Sequence, residues 1–166
     1  MPDKHEVGGS NPSMPTKKVF CMSKNPKAVG ESSEAQILAT MVKAGKTVLL
    51  PWGDNQRYDL VVDEDGKFIR IQCKTACLSR DGSYIRFRTC SMNCLTWSRR
   101  SYDGGADLFA VYCEGTGEVY IVPVRGAPLG SYNLRITEAK NGQKIGIKRA
   151  SDFVFDGSKN LDSCLK

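Results

Sequence analysis

The sequence predicts a single α/β domain, and three features point to it. One capped amphipathic helix stands in the first third of the chain. A strand pair joined through Asp-Gly follows it, and a series of further short β segments fills the middle. A length of 166 residues suits one domain. With 40% hydrophobic and 25% charged residues, the composition is that of a chain with a packed core.

Residues 1–24 read as an irregular lead-in, with prolines at 2, 12 and 15 and a Gly8-Gly9-Ser10 run. The domain proper is expected over residues 25–166. Asn25-Pro26 is a helix start, an N-cap followed by proline in the first turn. The helix is predicted to run to Ala44, with Gly45 as its stop. Ile37, Leu38, Met41 and Val42 lie three, four, seven and eight residues after Glu34, the spacing of one buried face. Glu34 therefore sits on that face or at its margin. A carboxylate there is costly unless a cation or a set of donors compensates it; the alternative is that it edges the stripe and reaches water.

Residues 47–52 are expected to form a buried strand ended by Pro51. Residues 57–62 and 67–75 are predicted strands, joined by a turn over Asp63-Glu64-Asp65-Gly66. Further strands are predicted over 84–89, 107–113 and 118–124, the last two forming a hairpin across Glu114-Gly115-Thr116-Gly117. Asp107, Tyr112 and Tyr120 are read as structural strand residues, and Trp97 is expected to pack rather than stack on a base. The stretch from Asn133 onward carries little signal.

Composition also excludes chemistry. No apolar run approaches the roughly 20 residues of a membrane span, and the opening Met1-Pro2-Asp3-Lys4-His5-Glu6 has no apolar signal core, so a cytoplasmic location is expected. His5 is the only histidine. A Ser-His triad, a paired-His nuclease and a His-based zinc protease are thereby excluded. Seven cysteines, an odd number, favour free thiols. The spacing Cys73-x3-Cys77 and Cys90-x3-Cys94 leaves a zinc site as the alternative to small buried thiols.

The net charge is +6. Between Arg70 and Arg100 lie seven basic side chains (Arg70, Lys74, Arg80, Arg86, Arg88, Arg99 and Arg100) against one acid, Asp81, an excess equal to that of the whole chain. A solvated basic face or a phosphate-backbone footprint would account for it.

Strand register brings candidates together. If Asp65-Gly66 is a two-residue loop, Glu64 faces Lys67 and Asp59 faces Gln72, with Lys74 the diagonal neighbour. Tyr58, Leu60, Val62, Ile69, Ile71 and Cys73 then occupy the opposite, apolar face. Val61 and Phe68 share the polar face, which implies a cover for it; the preceding helix is the expected cover and would deliver Glu34. Two carboxylates, an amide oxygen and an ammonium suit magnesium or manganese rather than zinc. An ordinary cross-strand polar cluster, Asp59 with Lys74 bridged by Gln72, is the other reading.

Three blocks in order, Gly30-Glu31-Ser32-Ser33-Glu34-Ala35, then Leu50-Pro51-Trp52-Gly53-Asp54-Asn55-Gln56-Arg57-Tyr58-Asp59-Leu60-Val61-Val62, then Ile69-Arg70-Ile71-Gln72-Cys73-Lys74-Thr75, resemble the PD-(D/E)XK nucleases. Within them they look like the branch of intron-encoded (group I) homing endonucleases, over about residues 25–125. The resemblance implies a restriction-endonuclease-like core, a mixed β-sheet flanked by α-helices, and a metal-dependent DNA endonuclease. It implies that Glu34 is the helix carboxylate, Asp59 the central metal-binding aspartate and Lys74 the catalytic lysine. Gln72 stands where the general motif has an acid. An amide offers a metal its oxygen but no charge, so Glu34 carries more of the binding and a second metal stays an open point.

The resemblance also implies Mg2+ (or Mn2+) as cofactor, double-stranded DNA as substrate, 5′-phosphate products and a homodimer or higher oligomer. Arg57, Arg80, Arg86, Arg88, Arg99 and Arg100 are the candidate DNA contacts, with Arg86 and Arg88 on one strand face and Arg99-Arg100 in the loop that follows. A structure-selective enzyme such as a Holliday junction resolvase, and a non-catalytic DNA-binding protein on the same fold, are the competing functions.

Overall fold

The structure, a computed structural model, describes residues 25–165 except 54, 94 and 139–144. The expected lead-in, with His5, lies outside the described residues. Helix α1 spans Pro26–Lys43. Asn25 caps it, its side-chain oxygen accepting the Lys27 N–H at 3.0 Å, and Gly45 (φ 75°) ends it.

The buried line of α1 is narrower than expected and turned by one position. Ser33, Ile37 and Met41 are buried, Leu38 is half-buried, and Val42 is 57% exposed. One row of residues four apart meets the sheet, which places Glu34 at its margin.

Strand β1 (Thr47–Leu49) pairs antiparallel with β2 (Leu60–Glu64), which pairs antiparallel with β3 (Lys67–Thr75). The β2–β3 turn has the predicted form. Asp65 (φ 56°) and Gly66 (φ 87°) are both left-handed, as a two-residue hairpin loop requires. Glu64 faces Lys67 and Leu60 faces Ile71, as the register predicts. The expectation of a buried strand over 47–52 is corrected. β1 is the sheet edge, Leu49 and Leu50 are exposed, and Trp52 is fully so, because an edge strand has neighbours on one side only.

The chain then leaves the sheet through β4 (Cys77–Leu78), β5 (Tyr84–Arg88), β6 (Cys90–Met92) and β7 (Arg99–Ser101). It returns as β8 (Leu108–Cys113), parallel to β3, followed by β9 (Glu118–Pro123) antiparallel to β8. The hairpin turn falls where predicted, with the Gly117 N–H bonded to the Cys113 carbonyl at 2.8 Å. Strand β10 (Ser131–Arg135), in the region of weak sequence signal, pairs with β5. Three sheets result, in the orders β1-β2-β3-β8-β9, β10-β5-β4 and β6-β7. The fold is the predicted mixed α/β type.

The main sheet carries a core on each face. Under α1 lie Leu60, Val62, Ile69, Ile71, Leu108, Ala110 and Ile121, sealed by Phe155 and Leu161. On the other face Phe109, Val111, Tyr120 and Val122 meet Ile85, Phe87 and Leu134 of the small sheet. The expected cover is therefore reversed. The helix lies on the apolar side that includes Cys73, whereas strand alternation turns Gln72 and Lys74 toward the small sheet. Phe68, expected under cover, is 62% exposed. No helix among the described residues is long and apolar enough to cross a membrane.

Ile37 is fully buried and Val42 is not. Ile37→Ala is expected to lower the unfolding free energy by about 2–5 kcal/mol in urea titrations. Val42→Ala is expected to change it by less than about 0.5 kcal/mol; equal losses from both would contradict the placement of α1.

Candidate active site

The site begins where the β2–β3 ladder stops. β2 starts at Leu60, opposite Ile71, while β3 continues to Thr75, so the end of β3 has no ladder partner on that side. The Asp59 N–H makes a last backbone bond to the Ile71 carbonyl, 2.8 Å. Its side chain then takes the next donor, Oδ2 accepting the Cys73 N–H at 2.7 Å. A carboxylate that replaces a ladder partner lies near the plane of the sheet, within reach of both faces.

From the small-sheet side come Gln72 and Lys74. The Gln72 Nε2 donates to the same Asp59 Oδ2. The Lys74 ammonium donates to the Tyr102 hydroxyl at 2.8 Å and lies 4.3 Å from the centre of that ring. Tyr102 is 8% exposed and packs edge-on against Phe109.

Glu34 approaches from the helix side. The Thr75 hydroxyl donates to the Ser33 Oγ at 2.7 Å, and Ser33 donates to the Val29 carbonyl at 3.0 Å. This pair pins α1 to the end of β3 and sets the next residue, Glu34, half-buried in the field of Asp59.

The electrostatics are those of an anionic site that Lys74 compensates only in part. Burial first, then Asp59, then Glu31 raise the Glu34 carboxyl above its ordinary range. Burial raises Asp59 as well, outweighing the Cys73 N–H, the Lys74 charge and the Gln72 amide, which act to lower it. The Cys73 thiol is pushed far up by burial, then by Asp59 and Glu34.

Of the four residues singled out from sequence, Glu34, Gln72 and Lys74 thus converge on the fourth, Asp59, from two faces rather than beneath one helix. Glu34 and Asp59 are the carboxylates here that could hold a divalent cation. Both hydrogen bonds to Asp59 fall on Oδ2, which leaves Oδ1 for it. Gln72 meets Asp59 through its donor end, so it ligates only by turning its oxygen inward. Among the described residues no three Asp, Glu, Cys or His side chains form a metal cluster. Two carboxylates with neutral oxygens suit a hard, partly hydrated cation such as Mg2+. No zinc cluster forms among the described residues: Cys73 lies on the helix side, Cys77 is exposed, Cys90 is buried near the Gly130 carbonyl, and Cys94 lies outside the described residues.

The arginines divide. Arg86 and Arg88 are exposed on one face of β5, as predicted, Arg86 donating to the Asn133 Oδ1 at 2.9 Å. Arg80 is exposed in the preceding turn. Arg99 and Arg100 are exposed but form strand β7, not a loop. Arg57 folds back, donating to the Ser101 carbonyl with its guanidinium 4.9 Å from the Tyr102 ring centre. Arg70 leaves the basic face altogether in a two-pronged pair with Asp107, at 2.7 and 3.0 Å. Trp97 does not pack; it is 81% exposed. Tyr102 escaped the sequence reading because it lies between β7 and β8, outside any register or spacing rule that ties it to Lys74.

A sequence profile of the PD-(D/E)XK endonucleases matches residues 24–156. The chain belongs to the PD-(D/E)XK endonuclease family. It is 36% identical over 90 residues to Protein 5.3 of Escherichia phage T7, covering 51% of this chain and 70% of that protein. The fold is similar to that of a bacterial homing endonuclease, I-Ssp6803I, with a TM-score of 0.63 and 22% identity, over 79% of this chain and 89% of that one.

The raised Asp59 carboxyl sets a pH dependence. Its folded state favours the proton, so the metal-free fold loses stability as pH rises past the ordinary value of 3.8, and the loss is complete above the raised value. Asp59→Asn keeps an acceptor for Cys73 and removes the charge. It is expected to raise the melting temperature in EDTA by a few degrees at pH 7 and to give no gain well below pH 3.8. Melting followed by circular dichroism checks this, and an unchanged melting temperature at pH 7 would refute it.

Proposed function

We propose that this endonuclease domain is divalent-metal-dependent and hydrolyses phosphodiester bonds of double-stranded DNA at specific sites, as a homing enzyme does. The convergence of Glu34, Gln72 and Lys74 on the in-plane Asp59 carboxylate carries this reading. Its likeness in fold to a bacterial homing endonuclease supports the homing type.

Glu34 and Asp59 would hold the cation, and Gln72 would add a neutral third donor once its amide turns its oxygen toward it. When bound, Mg2+ or Mn2+ supplies a Lewis acid for the phosphate and a water of lowered pKa. The Cys73 N–H fixes the Asp59 carboxylate in the sheet plane, so this ligand is held by backbone rather than by a mobile loop. Lys74 places its ammonium where negative charge grows on the phosphoryl oxygens during attack. Tyr102 holds that ammonium by its hydroxyl and its ring face.

The exposed arginines of β5 and β7 follow the phosphate backbone, a charge contact that positions the duplex without reading its sequence. Cutting both strands at one locus needs two such sites in opposite orientation, so the working form is a homodimer or tetramer.

Cleavage of duplex DNA carrying the sequence that flanks the gene tests the reading. Asp59→Ala and Lys74→Ala are each expected to lower Mg-dependent cleavage at least about a hundredfold while leaving DNA affinity within about threefold. Undiminished cutting by either variant removes the assignment. Preferential cutting of a four-way junction over linear duplex would instead make the protein a structure-selective nuclease.

Tyr102→Phe keeps the ring against Phe109 and removes only the hydroxyl. It is expected to lower kcat about tenfold with KM and melting temperature little changed, the signature of a lost bond to a charged group. An unaltered kcat would show that Lys74 needs no anchor.

A further inference from the structure

The β6–β7 hairpin holds a large side chain in an expensive place. The Asn93 N–H bonds to the Ser98 carbonyl at 2.9 Å and closes the loop. Within it the Asn93 Oδ1 accepts the Leu95 N–H at 2.9 Å, and the hydroxyls of Thr96 and Ser98 meet at 2.7 Å. Trp97 adopts φ 52°. Hairpin loops put glycine or asparagine at such left-handed positions, and a bulky residue there is an outlier. No burial compensates: Trp97 is 81% exposed, Leu95 93% and Met92 43%.

The surroundings of this tip favour one kind of partner. From Gly82 to Tyr102 the chain contains no acidic residue and four arginines. Arg86, Arg88, Arg99 and Arg100 are all exposed, and β5 passes through Thr89 directly into β6, the partner of β7. A second copy of the chain would set these arginines against one another, whereas a phosphate backbone complements them.

The root of the hairpin touches the site. The Ser101 carbonyl accepts the Arg57 guanidinium, and the next residue, Tyr102, holds Lys74. Four residues lie between Trp97 and Tyr102, so five steps of about 3.3 Å put their Cα atoms roughly 16 Å apart at most. Along a duplex that is about five base pairs.

We propose that this hairpin enters a DNA groove and that Trp97, with Leu95 beside it, wedges between stacked base pairs within about five base pairs of the cut phosphate. Arg99 and Arg100 hold the flanking phosphates. Two-stranded ribbons fit a DNA groove, and inserted apolar side chains unstack and kink the steps they enter. The inference rests on the DNA-endonuclease reading and adds to it a residue that deforms the substrate.

The chain has two tryptophans, so Trp52→Phe leaves Trp97 as the sole indole. The full-length Trp52→Phe protein is titrated in EDTA with the cleavable duplex, carrying 2-aminopurine at positions within about five base pairs of the cut. Quenching of Trp97 emission together with brightening of 2-aminopurine is expected, since an inserted indole stacks on one base and frees another. Trp97→Gly and Trp97→Ala are expected to weaken binding about tenfold. Glycine suits the left-handed position, so Trp97→Gly should melt at or above the parent temperature. That combination separates a wedge from a structural role, which would cost stability instead.

Bound DNA with unchanged Trp97 emission, or unweakened binding by Trp97→Gly, overturns the proposal. So does a shift from oligomer to monomer in Trp97→Gly, by sedimentation, with DNA affinity per protomer unchanged; that would make the tip a protein interface. Failure of the parent protein to bind DNA in a filter assay overturns the endonuclease reading itself, and the wedge with it.

Discussion

One hydrogen bond organises the candidate site of this molecule: the Cys73 N–H donated to the Asp59 carboxylate. A strand that outlasts its neighbour leaves backbone donors without ladder partners, and buried donors of that kind are costly. Asp59 takes one of them with a side chain, and so ends the β2–β3 pairing with a charged group held in the plane of the sheet. Glu34 then approaches from the helix layer, and Gln72 and Lys74 from the side of the small sheet. Without that bond the carboxylate would belong to one face, and the two layers would have no common point.

Function and stability pull in opposite directions there. Burial pushes the Glu34 and Asp59 carboxyls toward their neutral forms, and the Asp59 charge adds to this at Glu34, yet the proposed cation site needs them charged. The scaffold around them resists relaxation. Ile37, Met41, Ile69 and Ile71 fill one face of the sheet, and Phe109 and Val111 the other. Ser33 and Thr75 lock the helix to the strand end, so the carboxylates cannot drift apart without opening a packed core.

The connection between the two parallel strands β3 and β8 carries the second half of the site. Parallel strands need a long crossover, and residues 76–107 serve as one. This crossover builds most of the small sheet that covers the second core, supplies Tyr102 to Lys74, and projects a basic hairpin with an apolar tip. A topological necessity thereby provides both an anchor for the ammonium and an exposed basic surface beside it.

The local rules were legible before any coordinates. Asn25-Pro26 and Gly45 bound the helix, Asp65-Gly66 sets a two-residue turn, and the alternation of β3 puts Gln72 and Lys74 on one side, although β2 begins only at Leu60 and Asp59 forms no ladder pair with Gln72. These depend on neighbours close in the chain, whose steric and hydrogen-bonding preferences act within a few residues. Other features depend on which layer covers which face: α1 over Cys73 rather than over Lys74, Leu49 and Leu50 at an edge, Arg70 spent on Asp107, Trp97 facing outward, Tyr102 against Lys74. No periodicity records them, because they arise only when segments far apart in the chain compete to bury the two sides of one sheet.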